Sequence, residues 1–225
     1  GCPIIIRPSE ATPVSAYAVG ALCARIGLPK GVVQIFCTDG YDVADALTAS
    51  TIPQVVTLIG STRTGQHIMR TGATSIKRYS MELGGNAPVL VFEDADLDLA
   101  EAIVTAKVGC DKTADITTGP VIDGRAWHRI KGLIDGAVAD GATRLAGGDR
   151  PPHLNKGHYI APTVLGDVTE TLQVYRQDTF GPIISLIPFS DEARLVEMAN
   201  DCEEGGLTAY IFTRNLARAE HYAGQ

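Results

Sequence analysis

The sequence predicts an α/β fold, with a Rossmann-like parallel sheet followed by a second α/β domain. In the first half of the chain, short apolar runs alternate with helix-like stretches, a spacing typical of βαβ units. The alternation stops at a glycine-rich turn at residues 82–85 and resumes after it. A chain of 225 residues with 45% hydrophobic content can bury one large or two small cores. We therefore predict domains at residues 1–85 and 86–225.

The first domain opens on three consecutive isoleucines, which are typical of a strand buried on both faces. Thr12 is predicted to cap a helix that starts at Pro13, because proline suits the first helical turn. Parallel strands linked by such helices form a sheet that is covered on both sides. The predicted strands are residues 3–6, 32–36, 55–59 and 78–81, and the predicted helices are residues 13–27, 41–49 and 64–72.

The second domain begins with an apolar strand followed by four residues rich in acid, 93–96. Carboxylates there favour a helix start, because they face the positive end of the helix dipole. Residues 147–157 combine glycine, proline and polar side chains and are predicted to form a loop. The predicted strands are residues 89–92, 163–165, 183–189 and 207–213, and the predicted helices are residues 97–106, 123–139, 191–200 and 215–223.

Composition excludes several classes of function. The net charge is −7 and the basic residues are scattered, so we expect no nucleic-acid partner. The longest apolar runs are too short to cross a bilayer, so we expect no membrane partner. The five cysteines are widely spaced and form no CxxC pair, which predicts neither a metal site nor a disulfide framework. The expected location is cytoplasmic.

Residues 60–65, Gly-Ser-Thr-Arg-Thr-Gly, follow an apolar strand and open a helix. Free backbone N–H groups and the two hydroxyls at such a helix start can hold a pyrophosphate. A plainly capped helix is the alternative, and the motif is not the usual GxGxxG fingerprint. Glu82, next to paired glycines, is a candidate general base, with an ordinary surface glutamate as its alternative.

Two further turns carry candidate binding residues. Arg7, Ser9 and Glu10 follow the first strand, where parallel sheets bind ligands. A carboxylate there can accept hydrogen bonds from a ribose and would repel a 2′-phosphate, which favours NAD over NADP; a surface ion pair is the alternative. Asp178 and Phe180 precede a Gly-Pro turn, where an aromatic side chain is commonly just packed.

Taken in order, these motifs resemble the aldehyde dehydrogenase superfamily over nearly the whole chain, and most closely its succinate-semialdehyde type. The motifs that carry the resemblance are Ile6-Arg7-Pro8-Ser9-Glu10, Gly27-Leu28-Pro29-Lys30-Gly31-Val32, Gly60-Ser61-Thr62, Glu82-Leu83-Gly84-Gly85-Asn86-Ala87-Pro88, Asp94-Ala95-Asp96-Leu97-Asp98, Gly119-Pro120, Pro162-Thr163-Val164, Phe180-Gly181-Pro182 and Tyr210-Ile211-Phe212-Thr213-Arg214.

The resemblance implies NAD-dependent oxidation of a small aldehyde to a carboxylic acid through a cysteine thiohemiacetal and thioester. It implies that Glu82 activates the hydrolytic water, that Ser61 contacts the pyrophosphate and that Glu10 holds the adenosine ribose. Asp178 and Phe180 would then lie at the nicotinamide ribose. A homodimer or homotetramer without a metal ion is also implied. The other cofactor contacts implied by the resemblance are Arg7, Ser9, Gly40, Gly60 and Leu83.

The sequence departs from the family in four places. Arg7 stands where the family has lysine, Asp178 replaces a longer glutamate, and the turn ending at Gly40 keeps one glycine. Several dozen family residues, including the nucleophilic cysteine, have no counterpart near 107–108. Cys110 matches the segment after that gap, and the acid beside it would disfavour a thiolate. Either the natural protein is longer than this sequence, or it is an inactive relative that acts as a binding or structural protein.

Overall fold

The computed structural model describes residues 2–95, 107–110, 115–201 and 206–225. The chain divides into two compact units, Gly1–Glu82 and Leu83–Gln225. We call them unit 1 and unit 2. The division falls within residues 82–85, the segment at which the sequence places its domain boundary. Each unit has its own α/β architecture.

Unit 1 contains two pairs of parallel strands. In the first pair, Ile4 lies opposite Val33; in the second, Val55 lies opposite Arg78. The predicted parallel pairing is therefore confirmed, although hydrogen bonds join the four strands two by two. The elements of unit 1 are β1 (Ile4–Ile6), α1 (Val14–Arg25), β2 (Val33–Ile35), α2 (Asp42–Ala49), β3 (Val55–Ile59), α3 (Thr62–Gly72) and β4 (Arg78–Glu82).

The predicted Thr12 cap of α1 is wrong. The helix begins at Val14 behind Pro13, and no side chain caps it. Pro13 occupies the N-cap position, and its side chain has no oxygen to accept a hydrogen bond from the N–H groups of the first turn. α3 does have a side-chain cap, because Ser61 Oγ accepts a hydrogen bond from the Thr64 N–H.

Unit 2 combines a parallel pair of strands with a three-stranded mixed sheet. β5 pairs with β9, while β7 lies between an antiparallel β6 and a parallel β8. The elements of unit 2 are β5 (Val89–Val91), α4 (Gly124–Ala139), β6 (Thr143–Ala146), β7 (Thr163–Gly166), α5 (Gln173–Arg176), β8 (Ile183–Ser185), α6 (Glu192–Asn200), β9 (Tyr210–Phe212) and α7 (Leu216–Ala223).

Most predicted elements of unit 2 are present, with four differences. The strand predicted at residues 207–213 is confined to Tyr210–Phe212. β6 and the short α5 have no counterpart in the sequence prediction. β8 ends at Ser185 rather than at residue 189, and Pro188 follows closely, which cannot donate to a strand ladder. The predicted helix at residues 97–106 lies outside the described residues.

The main hydrophobic core belongs to unit 2. Ile130 and Ile134 of α4 pack with Ile160 and Leu165, and all four side chains are buried. A second cluster joins Leu90 and Phe92 with Leu195 of α6. Since helices bury one apolar stripe against a sheet, α4 on the β6–β8 sheet is the centre of this unit. None of the helices in the described ranges is long and apolar enough to cross a membrane.

Candidate functional site

The carboxyl ends of β3 and β4 lie side by side in unit 1. Ile59 pairs with Glu82, and the Gly60 N–H donates a 3.0 Å hydrogen bond to the Glu82 carbonyl oxygen. The register of two parallel strands therefore places the turn at Gly60 and Ser61 next to Glu82. Both candidate residues, which are 21 positions apart in the sequence, belong to one sheet edge.

The turn after β3 has the geometry of a capped helix start. Ser61 Oγ is 3.2 Å from the Thr64 nitrogen and 2.9 Å from Thr64 Oγ1. Ser61 itself is exposed, whereas Thr62 Oγ1 is buried and has no hydrogen-bond partner among the described residues. Exposed N–H groups at the positive end of a helix favour an anionic ligand. An orphaned hydroxyl beside them provides a further polar group for such a ligand.

Glu82 ends β4 with its side chain exposed. Within the described residues, nothing forms an ion pair with its carboxylate, in contrast to Glu10, Glu93 and Glu170. A carboxylate that keeps its lone pairs free can accept a proton from water. The position therefore suits a general base.

The carboxyl ends of β1 and β2 form a second cluster, organised by Arg7. Its Nη2 is 3.1 Å from Glu10 Oε2, 3.0 Å from the Gly40 carbonyl oxygen and 3.4 Å from that of Thr38. The guanidinium also lies 5.2 Å from the centre of the Tyr41 ring, a cation–π distance. Arg7 thus fastens the turn after β1 to the turn after β2.

The remaining residues of this cluster follow the same turns. Ser9 Oγ accepts a hydrogen bond from the Ala11 N–H at 3.3 Å. Gly40 has a φ of 76°, a conformation that glycine adopts without strain. Arg7 Nε and Thr38 Oγ1 are buried and have no hydrogen-bond partner within the described residues. Such orphaned atoms mark a place that a polar ligand could satisfy.

In unit 2, Asp178 and Phe180 lie on one strained turn. Asp178 Oδ1 accepts a 2.9 Å hydrogen bond from the Phe180 N–H, and Phe180 has a φ of 36°. Arg129 Nη2 holds the turn from α4 by donating to the carbonyl oxygens of Thr179 at 2.8 Å and Phe180 at 3.2 Å. The Phe180 ring is 83% exposed. It is not packed within unit 2, although packing was the alternative that the sequence favoured.

The structure therefore groups the predicted site residues by unit. Arg7, Ser9, Glu10 and Gly40 form one cluster of unit 1, and Gly60, Ser61 and Glu82 form the other. Leu83 opens unit 2, which also contains Asp178 and Phe180. Sequence reasoning missed the supporting cations and rings; a single arginine on an amphipathic helix, such as Arg129, carries no signal of its role. The supporting residues are Tyr41 and Arg129.

Cys110 is exposed and contacts Tyr159. A hydrogen bond with the Cys110 thiol, together with burial, raises the pKa of the Tyr159 hydroxyl. Asp111, which was expected to disfavour a thiolate, lies outside the described residues. No group of three or more metal-binding side chains occurs in the parts of the chain that the structure describes.

Polar clusters at the carboxyl ends of parallel strands are typical of ligand-binding α/β proteins, and comparison with known proteins identifies the family. A family model described as "Aldehyde dehydrogenase family" matches residues 1–110 and 99–225. The chain belongs to the aldehyde dehydrogenase family. The match comes in two stretches that overlap at residues 99–110, close to the gap predicted near 107–108.

Two curated relatives show how much of a related protein this chain covers. The chain is 37% identical to 3,6-anhydro-alpha-L-galactose dehydrogenase of Streptomyces coelicolor, over 97% of this chain and 52% of that protein. It is 35% identical to glutarate-semialdehyde dehydrogenase of Pseudomonas aeruginosa, over 100% of this chain and 54% of that protein. The chain spans about half the length of the curated relatives it matches. The alignments extend over 258 and 262 positions, more than the 225 residues of the chain.

Solved structures confirm the aldehyde dehydrogenase fold. A betaine aldehyde dehydrogenase from Staphylococcus aureus, solved with NAD+, superimposes with a TM-score of 0.92 and 27% identity, over 100% of this chain and 53% of that one. An NADP dependent enzyme of E. coli gives a TM-score of 0.91 and 31% identity, over 99% and 53%. The semialdehyde dehydrogenases among the relatives agree with the subtype that the sequence resembles.

Proposed function

We propose that the protein oxidises an aldehyde to a carboxylic acid with NAD, and that this chain supplies the cofactor cradle and the base of the second half-reaction. One observation carries the proposal. The Ile59–Glu82 register brings the turn at Gly60 next to the end of β4, where Glu82 is exposed and has no ion-pair partner among the described residues. Binding and proton transfer then take place at the same sheet edge.

The residues present fit a dinucleotide. The start of α3 offers exposed N–H groups, the Ser61 hydroxyl and the orphaned Thr62 Oγ1 for phosphate oxygens. The Glu10 carboxylate, 53% exposed, faces solvent beside Arg7 and can accept from ribose hydroxyls. When bound, NAD supplies the hydride acceptor for the oxidation.

We propose that the residues of this chain divide the remaining work. Ser61 and the α3 N-terminus hold the pyrophosphate, and Glu10 orients the adenosine ribose. Asp178 and the exposed Phe180 ring contact the nicotinamide end. Glu82 takes a proton from water as that water attacks an acyl-cysteine thioester, and the cysteine becomes the leaving group. The thiolate comes from polypeptide outside this sequence.

The cofactor preference depends on Glu10. Its negative charge favours two ribose hydroxyls and opposes a 2′-phosphate, so we propose NAD rather than NADP. Arg7 works against that discrimination, since a guanidinium 3.1 Å from the carboxylate attracts phosphate. Replacing Glu10 with glutamine should therefore improve NADP binding relative to NAD. Direct titration of both cofactors measures the ratio of the two dissociation constants.

The proposed substrate is an aliphatic semialdehyde, supported by the relative that acts on glutarate semialdehyde. A homodimer or homotetramer in the cytoplasm completes the proposal. The four described cysteines are free thiols.

An inactive, NAD-binding relative is the second candidate. It is favoured by the break in the family match at residues 99–110, where Cys110 is the described cysteine nearest the gap. Intact mass of the natural protein together with steady-state NADH formation separates the two candidates. A mass near 23.8 kDa with NAD binding but no turnover establishes the inactive relative. A heavier protein that reduces NAD with a semialdehyde establishes the enzyme.

The base assignment is tested in the natural full-length protein by Glu82→Gln. We expect steady turnover to fall by about 10²–10⁴-fold, the usual contribution of a general base. The first equivalent of NADH should still form, because hydride transfer precedes hydrolysis. Glu220→Gln, at an exposed glutamate on α7, is the matched control and should leave turnover unchanged. Equal rates for the Glu82 variant and the wild type would refute the assignment.

A further inference from the structure

The turn at residues 178–182 of unit 2 presents an exposed aromatic ring on a restrained backbone. Phe180 has a φ of 36°, in the left-handed region that residues with a Cβ rarely adopt. Its ring is 83% exposed, so packing within unit 2 does not offset the strain. A glycine would adopt this conformation without strain. The aromatic side chain at this position therefore has a role outside the packing of unit 2.

Hydrogen bonds hold the Phe180 backbone on both sides. Its N–H donates to Asp178 Oδ1 at 2.9 Å. Its carbonyl oxygen accepts a 3.2 Å hydrogen bond from Arg129 Nη2, which also donates to the Thr179 carbonyl oxygen at 2.8 Å. Two carbonyl oxygens that converge on one point repel each other, and a cationic donor between them removes that repulsion. Arg129 therefore stabilises this arrangement of the two carbonyls.

The rest of the turn is fixed by the core. A Cβ at Gly181 would lie 2.7 Å from Ile130 Cδ1, so the turn backbone rests directly against a side chain that is 0% exposed. The Pro182 carbonyl oxygen accepts a 2.8 Å hydrogen bond from the N–H of Thr163, the first residue of β7. Since packing and the sheet fix residues 181 and 182, the conformation of Phe180 depends on the polar contacts before them.

Arg129 differs from other arginines of unit 2 in what it contacts. Arg144, Arg194 and Arg218 each form an ion pair with a carboxylate, at 2.8, 2.6 and 3.2 Å. Within the described residues, no carboxylate forms an ion pair with Arg129. Its contacts there are the two carbonyl oxygens of the turn. The guanidinium is therefore directed at the backbone that bears the Phe180 ring.

We propose that Arg129 is a positioning residue of the cofactor site. By holding the Thr179 and Phe180 carbonyl oxygens, it keeps the Phe180 ring presented to the nicotinamide ring of NAD. Aromatic rings interact in specific offset or edge arrangements, so the strength of the contact depends on ring orientation. A restrained backbone also reduces the entropy lost on binding. The inference rests on the proposed function, in which Phe180 contacts the nicotinamide end of the cofactor.

The test compares two ligands in the natural full-length protein. NAD carries the nicotinamide ring, whereas ADP-ribose has the same adenosine, pyrophosphate and second ribose without it. Arg129→Met keeps a long side chain but removes the charge and the donors. We expect this variant to bind NAD about three- to tenfold more weakly, the range for loss of an aromatic contact. Its affinity for ADP-ribose should not change. Calorimetric titration measures both dissociation constants.

Two further variants separate positioning from a general loss of charge. In Arg129→Lys one nitrogen again carries several donors, which is sufficient because Nη2 alone makes both hydrogen bonds. This variant should bind NAD within about twofold of the wild type. Arg144→Met removes the same charge from β6, where Arg144 pairs with Asp149. It should bind both ligands like the wild type.

Amide hydrogen exchange tests the positioning role without any ligand. In Arg129→Met, the Phe180 N–H should exchange faster than in the wild type, because the turn loses one of its two polar restraints. The amides of residues 130–137, in the buried part of α4, should exchange at the wild-type rate. Faster exchange along the whole of α4 would instead show that Arg129 only stabilises the helix.

Three results would overturn the proposal. The first is equal NAD affinity in Arg129→Met and the wild type. The second is an equal loss of affinity for NAD and ADP-ribose, which assigns Arg129 a general structural role. The third is unchanged exchange of the Phe180 N–H. Failure of the wild-type protein to bind either ligand is a different outcome, because it overturns the proposed function and this inference with it.

Discussion

Unit 1 and unit 2 share the α/β pattern but differ in how much apolar surface they bury. All fifteen buried hydrophobic residues among the described ones belong to unit 2. In unit 1, Ile52, Ile59 and Ile76 are 86%, 83% and 99% exposed, and α1 has no buried residue. Local sequence patterns form the strands and helices of unit 1, but the apolar faces of those elements are not covered within the unit. Strands and helices can therefore form without their apolar faces being buried in a core of the same unit.

The largest expected effect is on the free energy of unfolding, and it tests the difference in apolar burial between the two units. Ile134→Ala removes a side chain that is 0% exposed and should lower the free energy of unfolding by about 2–5 kcal/mol. Ile59→Ala, at an 83% exposed position of unit 1, should change it by less than about 0.5 kcal/mol. Urea unfolding followed by circular dichroism measures both. Similar losses of unfolding free energy for the two variants would show that Ile59 belongs to a hydrophobic core in unit 1, contrary to the difference in burial.

Cofactor binding should reduce the difference in stability between unit 1 and unit 2. At an NAD concentration of about 100 times the dissociation constant, the binding unit gains about 2.7 kcal/mol. Because Ser61 and Glu10 both lie in unit 1, hydrogen exchange should slow in residues 33–35 and 55–59. Trp127, the only tryptophan, donates a 2.9 Å hydrogen bond to the Tyr159 carbonyl and reports on unit 2. A cofactor-dependent rise in stability seen only through Trp127 fluorescence would contradict this assignment.

Two glycines, one in each unit, allow the cost of an added side chain to be compared between the units. Gly27 of unit 1 and Gly147 of unit 2 have φ values of 77° and 65°. Alanine at either position pays about 1–2 kcal/mol for the left-handed conformation. A Cβ at Gly27 would meet no atom within 4 Å, whereas one at Gly147 would collide with the backbone of Pro162. Gly147→Ala should therefore cost more than Gly27→Ala, and thermal unfolding of the two variants measures the difference.

The smallest expected effect concerns pH. Asp123 caps α4 through a 2.8 Å hydrogen bond from the Ala126 N–H, which lowers the pKa of its carboxyl together with the neighbouring Arg125. A carboxyl whose pKa is lowered in the folded state stabilises the fold fully at pH values above its ordinary pKa. That stabilisation is lost as the pH falls through the lowered pKa. The stability difference between wild type and Asp123→Ala should thus be constant near neutral pH and shrink below about pH 4.

Ser61→Ala provides the matched neutral cap in unit 1. The Ser61 hydroxyl accepts the corresponding hydrogen bond from the Thr64 N–H without carrying a charge. Its stability difference from wild type should not depend on pH in the same range. Denaturant titrations between pH 3 and pH 7 measure both variants. A pH-dependent loss at Ser61 equal to that at Asp123 would rule out the charge as the cause.

The elements that the sequence predicted well are those with a strong local pattern. The helix at α4 has apolar residues at helical spacing behind an aspartate cap, and β3 is apolar at every position except Thr57. β6 was missed because Thr-Arg-Leu-Ala has little strand pattern and is mostly exposed. It forms because β7, buried along its whole length, offers an edge to pair with.

The candidate site shows the same division. Motifs identified Ser61 and Glu82 individually, but only the β3–β4 register places them at one edge. Glu10 forms an ion pair with Arg7, three residues earlier in the chain, and Phe180 remains exposed. The β3–β4 register depends on segments that are distant in sequence, so no local pattern can encode it.

By itself, the sequence determined the family and the fold class and supplied the candidate site residues, because each of these follows from residue types in a fixed order. The tertiary structure alone decided which strand edges are paired, which apolar faces are buried and which functional groups share an edge. The physical reason is that burial and register arise from contacts between distant segments. Local sequence can therefore specify the strands and helices of unit 1. Contacts with distant segments determine whether its apolar surface is buried.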